Sequence, residues 1–455
     1  MLLQLEFAVV LLTQTMAYAT GGKPGGSGTA ADPFLVADYA DLKVVGTTTI
    51  YSLSSTYRLA GDIDASTSVT ENSGAGFVPI GSGAANFTGT FHGAGHVIQN
   101  LHINRSDTDF VALFGCAWTA TIDSLGVTNL DIKGRQFVAG IVGSSYSTIT
   151  NCYSTGNVIG HSQVGGVVGM NVGQISNCYA VGNMIAIANV GGVVGYSNGI
   201  VSNCYSTGNV TGSYQVGGVV GDNDIGLTTN CYSTGIITGI DAGGVAGLNG
   251  NSGTVSNCYA IGTVSGSNKV GGVVGEIYNK ASVSSCYWNT QTTGMFSGYG
   301  TITDGGVFSG SGLTTVQMKL QSSFSGWDFT TVWSIDASIN NGYPYLAPVT
   351  PTSVEGVAAL TPTNFSLLQN FPNPFNPATT IRYGLPASSR VSLRIYNILG
   401  QQITELVNSE QSAGWYVTVW NANVASGLYF YRIDAVSTSH PNQRFTQMNK
   451  MMLLK

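Results

Sequence analysis

Charge is what this chain has least of. Asp, Glu, Lys and Arg make up 8% of its 455 residues, against roughly a quarter in an average soluble protein. That scarcity excludes a basic track for nucleic acid and leaves few carboxylates for acid–base or metal chemistry. Between Phe110 and Thr290 the acids are Asp123, Asp131, Asp222, Asp224, Asp241 and Glu276 alone. No apolar run approaches the length of a membrane-spanning helix. The seven cysteines include no CxxC pair of the kind that builds zinc sites. No nucleophile elbow or phosphate loop is present, since the glycines here turn strands and do not open helices. No metal or cofactor is implied.

What is abundant is glycine, at 62 residues, together with 22 Tyr and 17 Phe. Without a Gly-X-Y period this is not collagen, and the aromatics argue against disorder. Val-Gly-Gly-Val-Val-Gly stands at Val164–Gly169 and recurs from Val190, Val216 and Val270. Looser copies begin at Phe110, Val138 and Ala242, giving spacings of 28, 26, 26, 26, 26 and 28 residues. A fixed period of this size marks a solenoid, because one repeat cannot bury its own apolar face. Short strands of period-2 alternation with Gly at the corners, and no helical period, predict a parallel β-helix. Stacked coils lie about 4.8 Å apart, so roughly eight coils make a rod on the order of 40 Å long.

The repeats also carry Cys-Tyr, preceded by Asn in all but the last, where Ser285 stands. The thiols are Cys152, Cys178, Cys204, Cys231, Cys258 and Cys286, each followed by Tyr. An earlier unit has Leu125 at the Cys position and Gly126 at the Tyr position. A site taking Leu or Cys belongs inside, and one taking Gly or Tyr belongs outside. Alternation thus predicts a Cys column in the core and a Tyr column on the surface. The preceding Asn151, Asn177, Asn203, Asn230 and Asn257 are expected at a bend, with amides stacked coil over coil.

Taken in order, residues 1–19 read as a secretory signal, imperfect because it carries Glu6 and no early Lys or Arg. A flexible Gly/Ser-rich leader is expected over 20–31. Residues 32–105 form the opening coils and cap of the β-helix, 106–295 the repeats and 296–346 a closing coil and cap. One short helix is expected near 315–321. Residues 347–364 are a Pro- and Thr-containing linker, and 365–455 form a small all-β domain of separate strands. Up to residue 350 there are 9 basic and 18 acidic side chains, a balance of −9; beyond it there are 7 and 4, or +3. The charge changes sign where the architecture does.

The Gly-Gly-Val-Val-Gly units with their Asn-Cys-Tyr partners resemble the GLUG repeat of bacterial surface and secreted proteins. The likeness extends over about Pro33 to Leu346, including FTGTFHGAGHVIQNL and GLTTVQMKLQSSFSGWDF as flanks. It implies an adhesin-like role. Such repeats also occur in large immunoglobulin-cleaving metallopeptidases, but that activity would need His-Glu-x-x-His. None of His92, His96, His102, His161 and His440 is followed by Glu. FSLLQNFPNPFNPATTIRYGLP, VSLRIYNILGQQI, ASGLYFYRIDA and the final MNKMMLLK resemble the carboxy-terminal sorting domain of the type IX secretion system. That resemblance implies an immunoglobulin-like sandwich read by an outer-membrane translocon. It further implies a Bacteroidetes-like host, and a mature form released or anchored at the outer-membrane surface after tail processing.

Three functional features follow. The thiol column is read as small core hydrophobes and not as a metal wire, because each thiol is alone in its coil. Tyr153, Tyr179, Tyr205, Tyr232, Tyr259 and Tyr287 form the candidate ligand site, a stacking platform for a polysaccharide chain. Asp222-Asn223-Asp224 is read as a solvated turn in preference to a Ca²⁺ site, and Asp62 and Asp64 as part of the opening coil. The expectation is a secreted, surface-displayed, non-catalytic β-helix serving adhesion or glycan and envelope interaction. The alternatives are a polysaccharide lyase or glycoside hydrolase of the same fold, and a ligand-free spacer.

Overall fold

The computed structural model describes residues 21–347 and 365–454, apart from 338, 368–369, 371–372, 374 and 439–442. The signal segment 1–19 and the linker beyond Ala347 lie outside the described residues.

The chain winds into a parallel β-solenoid of about 11 turns. That is more than the eight expected, because the opening and closing segments stack on the same axis although they lack the Gly-Gly motif. Thr56–Leu59 pairs with Thr90–His92, which pairs with Phe114–Asp123. At the far end Tyr299–Ile302 pairs with Val274–Ile277. Along the repeats the register follows the sequence period. Val138, Val164, Val190, Val216, Ala242 and Val270 stack in one six-stranded sheet. The valines point inward and are fully buried through most of the rod, each contributing about 1.5–3 kcal/mol.

The opening end is closed. Phe34–Val36 and the helix Tyr39–Val44 cover the first coil, with Leu42 fully buried. The helix starts at Asp38, whose carboxylate accepts from the Asp41 backbone N–H at 2.8 Å. Buried Asp41 in turn accepts from the N–H groups of Gly22, Lys23 and Ala37. Those bonds tie down the leader, and Gly25 bridges Leu35 on the outer edge of the first strand.

The Asn bend is present. Asn151, Asn177, Asn203, Asn230 and Asn257 all hold φ between 51° and 55°, the left-handed region that Asn tolerates better than most side chains. Their amides link coil to coil, from Asn203 Nδ2 to Asn177 Oδ1 at 3.3 Å and from Asn230 to Asn203 at 3.2 Å. All seven thiols are buried and none is bonded to another. The six in register each donate to the carbonyl two residues back, as Cys152 does to Thr150 at 3.1 Å.

The Gly-Gly corner and the residue after each Tyr are two halves of one contact. Ser154, Ala180, Ser206, Ser233 and Ala260 are buried there. A Cβ placed on Gly166 would stand 2.3 Å from the Ala180 Cβ, and one on Gly192 2.4 Å from Ser206 Oγ. Only glycine lets the two walls of the coil come this close.

From Ser366 an antiparallel domain follows, with a three-stranded and a four-stranded sheet. The strand Ser389–Asn397 buries Val391, Leu393 and Ile395 alternately, and Gly427–Ser437 buries Tyr431, Ile433 and Ala435 opposite. This core contains residues 367–453 and none from the rod, so the two parts have separate hydrophobic centres.

Candidate functional site

The tyrosine column forms a continuous ladder. Successive rings from Tyr153 to Tyr259 lie 4.8–5.0 Å apart with interplanar angles of 4–7°. The rings point away from the valine core and belong to separate clusters, as alternation requires. They are not on the solvent surface, however, and this corrects the expectation. Tyr153, Tyr179, Tyr232, Tyr259 and Tyr287 are buried, and Tyr205 is partly buried.

Two physical causes bury them. Stacked face to face, each ring covers its neighbour, and the last ring covers glycine: a Cβ on Gly126 would stand 2.5 Å from the Tyr153 ring. Gly126 is therefore small because Tyr153 lies over it. The second cause is a strap formed by residues 314–347, which leaves the last coil and runs back along the flank. Met318, Phe324, Trp327, Trp333 and Tyr343 bury themselves against Tyr232, Tyr259 and Tyr287. Trp327 Nε1 donates to the Ser285 carbonyl at 2.8 Å, and Asn289 Nδ2 donates to Tyr343 Oη at 3.0 Å. Tyr259 Oη donates to the Pro344 carbonyl and accepts from Asn340 Nδ2 at 2.7 Å. The short helix expected near 315–321 is here two 3₁₀ turns, Gln317–Lys319 and Gln321–Ser323. Burial raises the phenols of Tyr179, Tyr232 and Tyr259 well above their ordinary value.

A cavity of about 400 Å³ opens where the ladder ends. Tyr153, Gln99, Thr128, Asn129 and Thr155 line the rod side, and Asn373, Lys450 and Met452 of the carboxy-terminal domain line the other. Its rim carries a polar relay: Asn129 Nδ2 donates to Asn100 Oδ1 at 2.6 Å, and Asn100 Nδ2 to Asp64 Oδ1 at 2.8 Å.

Asp62 also lines this cavity, and the acids of the repeats do not converge on it. His92 Nδ1 meets Asp123 at 2.7 Å, while His96–Asp62 and His102–Asp131 are both 3.2 Å pairs. Each pair ties one opening coil to the next. Asp241 accepts from Asn268, and Glu276 pairs with Lys269 at 2.6 Å. Asp222 accepts from Asn189 at 2.9 Å, and Asp224 from Tyr196 Oη at 3.0 Å and from Asn251. Asp222 is not a solvated turn residue: it sits on the strand Val220–Asn223. Burial, and secondarily the charge of Asp224, push its carboxyl up to about 7. Among the described residues no group of three His, Cys, Asp or Glu side chains is placed to hold a metal ion.

One polar ladder escaped the sequence reading. Asn171, Ser197, Asn223 and Asn249 are buried in line, with Asn223 Nδ2 donating to Asn249 Oδ1 at 2.7 Å and Asn171 Nδ2 to Ser197 Oγ at 3.2 Å. Their 26-residue spacing was the available signal.

Residues 369–445 match the family of secretion system C-terminal sorting domains, and residues 188–211 match the GLUG motif. The chain is a GLUG-repeat solenoid carrying a type IX secretion sorting domain. It is thereby a cell-surface or extracellular protein. No helix among the described residues is long and apolar enough to cross a membrane. Halomucin of Haloquadratum walsbyi is 35% identical over 144 residues, 30% of this chain and 2% of that protein. A protein of Evansella cellulosilytica described as a Gly-rich membrane protein is 30% identical over 131 residues, 28% of this chain and 15% of that one. The solenoid thus spans a small fraction of either relative. A crystal structure from Bacteroides ovatus, titled as an immunoglobulin A1 protease, aligns with 70% of this chain and 94% of its own. The TM-score is 0.45 at 21% identity.

Proposed function

We propose that the rod is a non-catalytic interaction body, displayed outside the cell for adhesion or envelope contact. The observation that carries this reading is the sorting domain, which delivers whatever precedes it to the outside. The acids support a non-catalytic role, since those of the repeats are held by Asn, Tyr, Lys or His partners within the rod wall. The candidate ligand is an extended polysaccharide. Stacking on Tyr153, Tyr179, Tyr205, Tyr232, Tyr259 and Tyr287 would need free ring faces, and the rings are covered by one another, by Gly126 and by the strap, so the proposal centres on the polar cavity at the end of the ladder. There Tyr153 meets the amides and hydroxyls of Gln99, Asn129 and Thr155 beside the cavity, groups that suit sugar hydroxyls.

The test is a glycan array and a hydrolysis screen on the full-length chain, repeated with the double substitution Gln99→Ala/Asn129→Ala. Retained binding of one polysaccharide class, lost in the variant and without cleavage, is the expected result. Cleavage would establish the enzyme alternative, and an array with no binder would leave the rod a spacer.

A further inference from the structure

The two ends of the solenoid differ. At the opening end the outer edge of the first strand is bridged by Gly25, and the helix Tyr39–Val44 shields the core. At the closing end the strands Tyr299–Ile302 and Val307–Leu313 pair with the preceding coil. Among the described residues no strand pairs with their outer side. The core is open there as well. Ile302 and Phe308 are only partly buried, whereas Ile277 and Val283 one coil earlier are 0% and 1% exposed. Phe296 is 100%, Val307 57% and Tyr299 38% exposed around the same end.

Neither nearby segment closes this face. The strap turns away along the tyrosine flank, and its last residues reach Asn177 and Asn203 several coils back. The sorting domain lies beside Tyr153, towards the opposite end. Nor is the edge blunted by the usual devices, since Val-Phe-Ser-Gly-Ser-Gly-Leu carries no charge and no proline.

We propose that this open end is a homodimer interface, with two rods meeting end to end. A second copy fits on three counts. A sheet edge of unpaired N–H and C=O groups is satisfied by another sheet edge. A coil of 26 residues has a perimeter of roughly 85 Å and a cross-section of about 400–600 Å². Two such faces bury on the order of 1,000 Å², the lower limit for a specific interface. Finally, among the described residues the first strand of the opening end is bridged by Gly25 and its core is covered by the helix Tyr39–Val44, so that end offers no matching open face for head-to-tail growth into a filament. Only like ends can join, which gives a closed twofold pair. In that pair Val307–Leu313 of one copy lies antiparallel to the same strand of the other, and Phe296, Tyr299 and Val307 meet around it.

The experiment is sedimentation equilibrium of the full-length chain from about 1 to about 100 μM, because an interface this small fits micromolar affinity. It is repeated with Phe296→Lys/Val307→Lys, two exposed positions where the change leaves the core untouched. The expected result is a concentration-dependent rise to twice the chain mass, abolished in the variant. Hydrogen exchange at residues 299–313 should slow as the dimer forms and stay fast in the variant. A chain that remains monomeric at 100 μM overturns the proposal, whether or not another protein binds this edge. So does a dimer that persists in the variant.

Discussion

Gly192→Ala puts one methyl group into the close contact at the Gly-Gly corner of the repeat. Its Cβ would stand 2.2 Å from the Gly218 carbonyl oxygen, 2.4 Å from Ser206 Oγ and 2.5 Å from Ser206 Cβ. The Ser206 hydroxyl can rotate away, but the Gly218 oxygen is backbone and cannot. It is fixed by the bonds that cross the same corner, Val193 N to Val219 O at 2.9 Å and Val194 N to Val219 O at 3.0 Å. Relief therefore means separating two coils locally and weakening those bonds. Overpacking alone costs about 1–3 kcal/mol, and each backbone bond lost adds about 1 kcal/mol net, so the loss should be about 3–5 kcal/mol.

A solenoid opens coil by coil, and the sensitive assay is native-state hydrogen exchange. Amides of 192–194 and 218–220 should lose protection while those of the opening coils keep theirs. Gly61→Ala is the control, since nothing lies within 4 Å of a Cβ there. Ser206→Gly should rescue Gly192→Ala only in part, because it leaves the backbone clash. Equal stability of Gly192→Ala and Gly61→Ala would refute the close-approach account of the Gly-Gly motif.

The thiol column predicts that maleimide reacts slowly with native protein at Cys152, Cys178, Cys204, Cys231, Cys258 and Cys286, and fully after denaturation; ready labelling of the native chain would contradict a buried column. Val219→Asp buries an unpaired charge at a fully buried site and should cost several kcal/mol, on the order of 3–5, read as a lower melting temperature; an unchanged melt would remove Val219 from the core. Asp222 gives a pH dependence. Its carboxyl rises from 3.8 to about 7 on folding, so the folded state keeps a proton that the unfolded chain has released. Stability then increases as pH falls from about 7 towards about 4. The ceiling is ~4 kcal/mol at 1.36 kcal/mol per unit, and partial exposure of Asp222 reduces this to ~1–2 kcal/mol. Asp222→Asn should flatten the denaturation midpoint between pH 5 and 8, and a variant that kept the slope would locate it elsewhere.

The rod, its register and its thiol core could be read from the sequence because one physical rule repeats in every coil. Leu125 standing in for Cys identified the inside, and the Asn before five of the six Cys identified the bend, which the structure shows to be left-handed. The tyrosine flank was only half legible. Alternation correctly directs the rings away from the valine core, but their cover comes from residues 314–347, which follow no period. Nothing local links Trp327 or Trp333 to Tyr259, some 70 residues earlier in the chain. Gly126 misled for the same reason: it is glycine because a ring from the next coil lies over it, and not because the site is solvated. The coil count fell short because coils such as Thr56–Leu59, although assigned to the opening segment, stack by backbone pairing without the glycine signature.

The central claim is that the rod is cargo and the carboxy-terminal domain its address. Their hydrophobic centres are separate, so each part can be tested alone. In a host with a type IX system, the chain ending at Ala347 is compared with residues 348–455 fused behind an unrelated signal-bearing reporter, using protease accessibility on intact cells and fractionation. The account predicts that the reporter reaches the outside and the shortened rod stays, folded, in the periplasm. A shortened rod that still appears at the cell surface would contradict it.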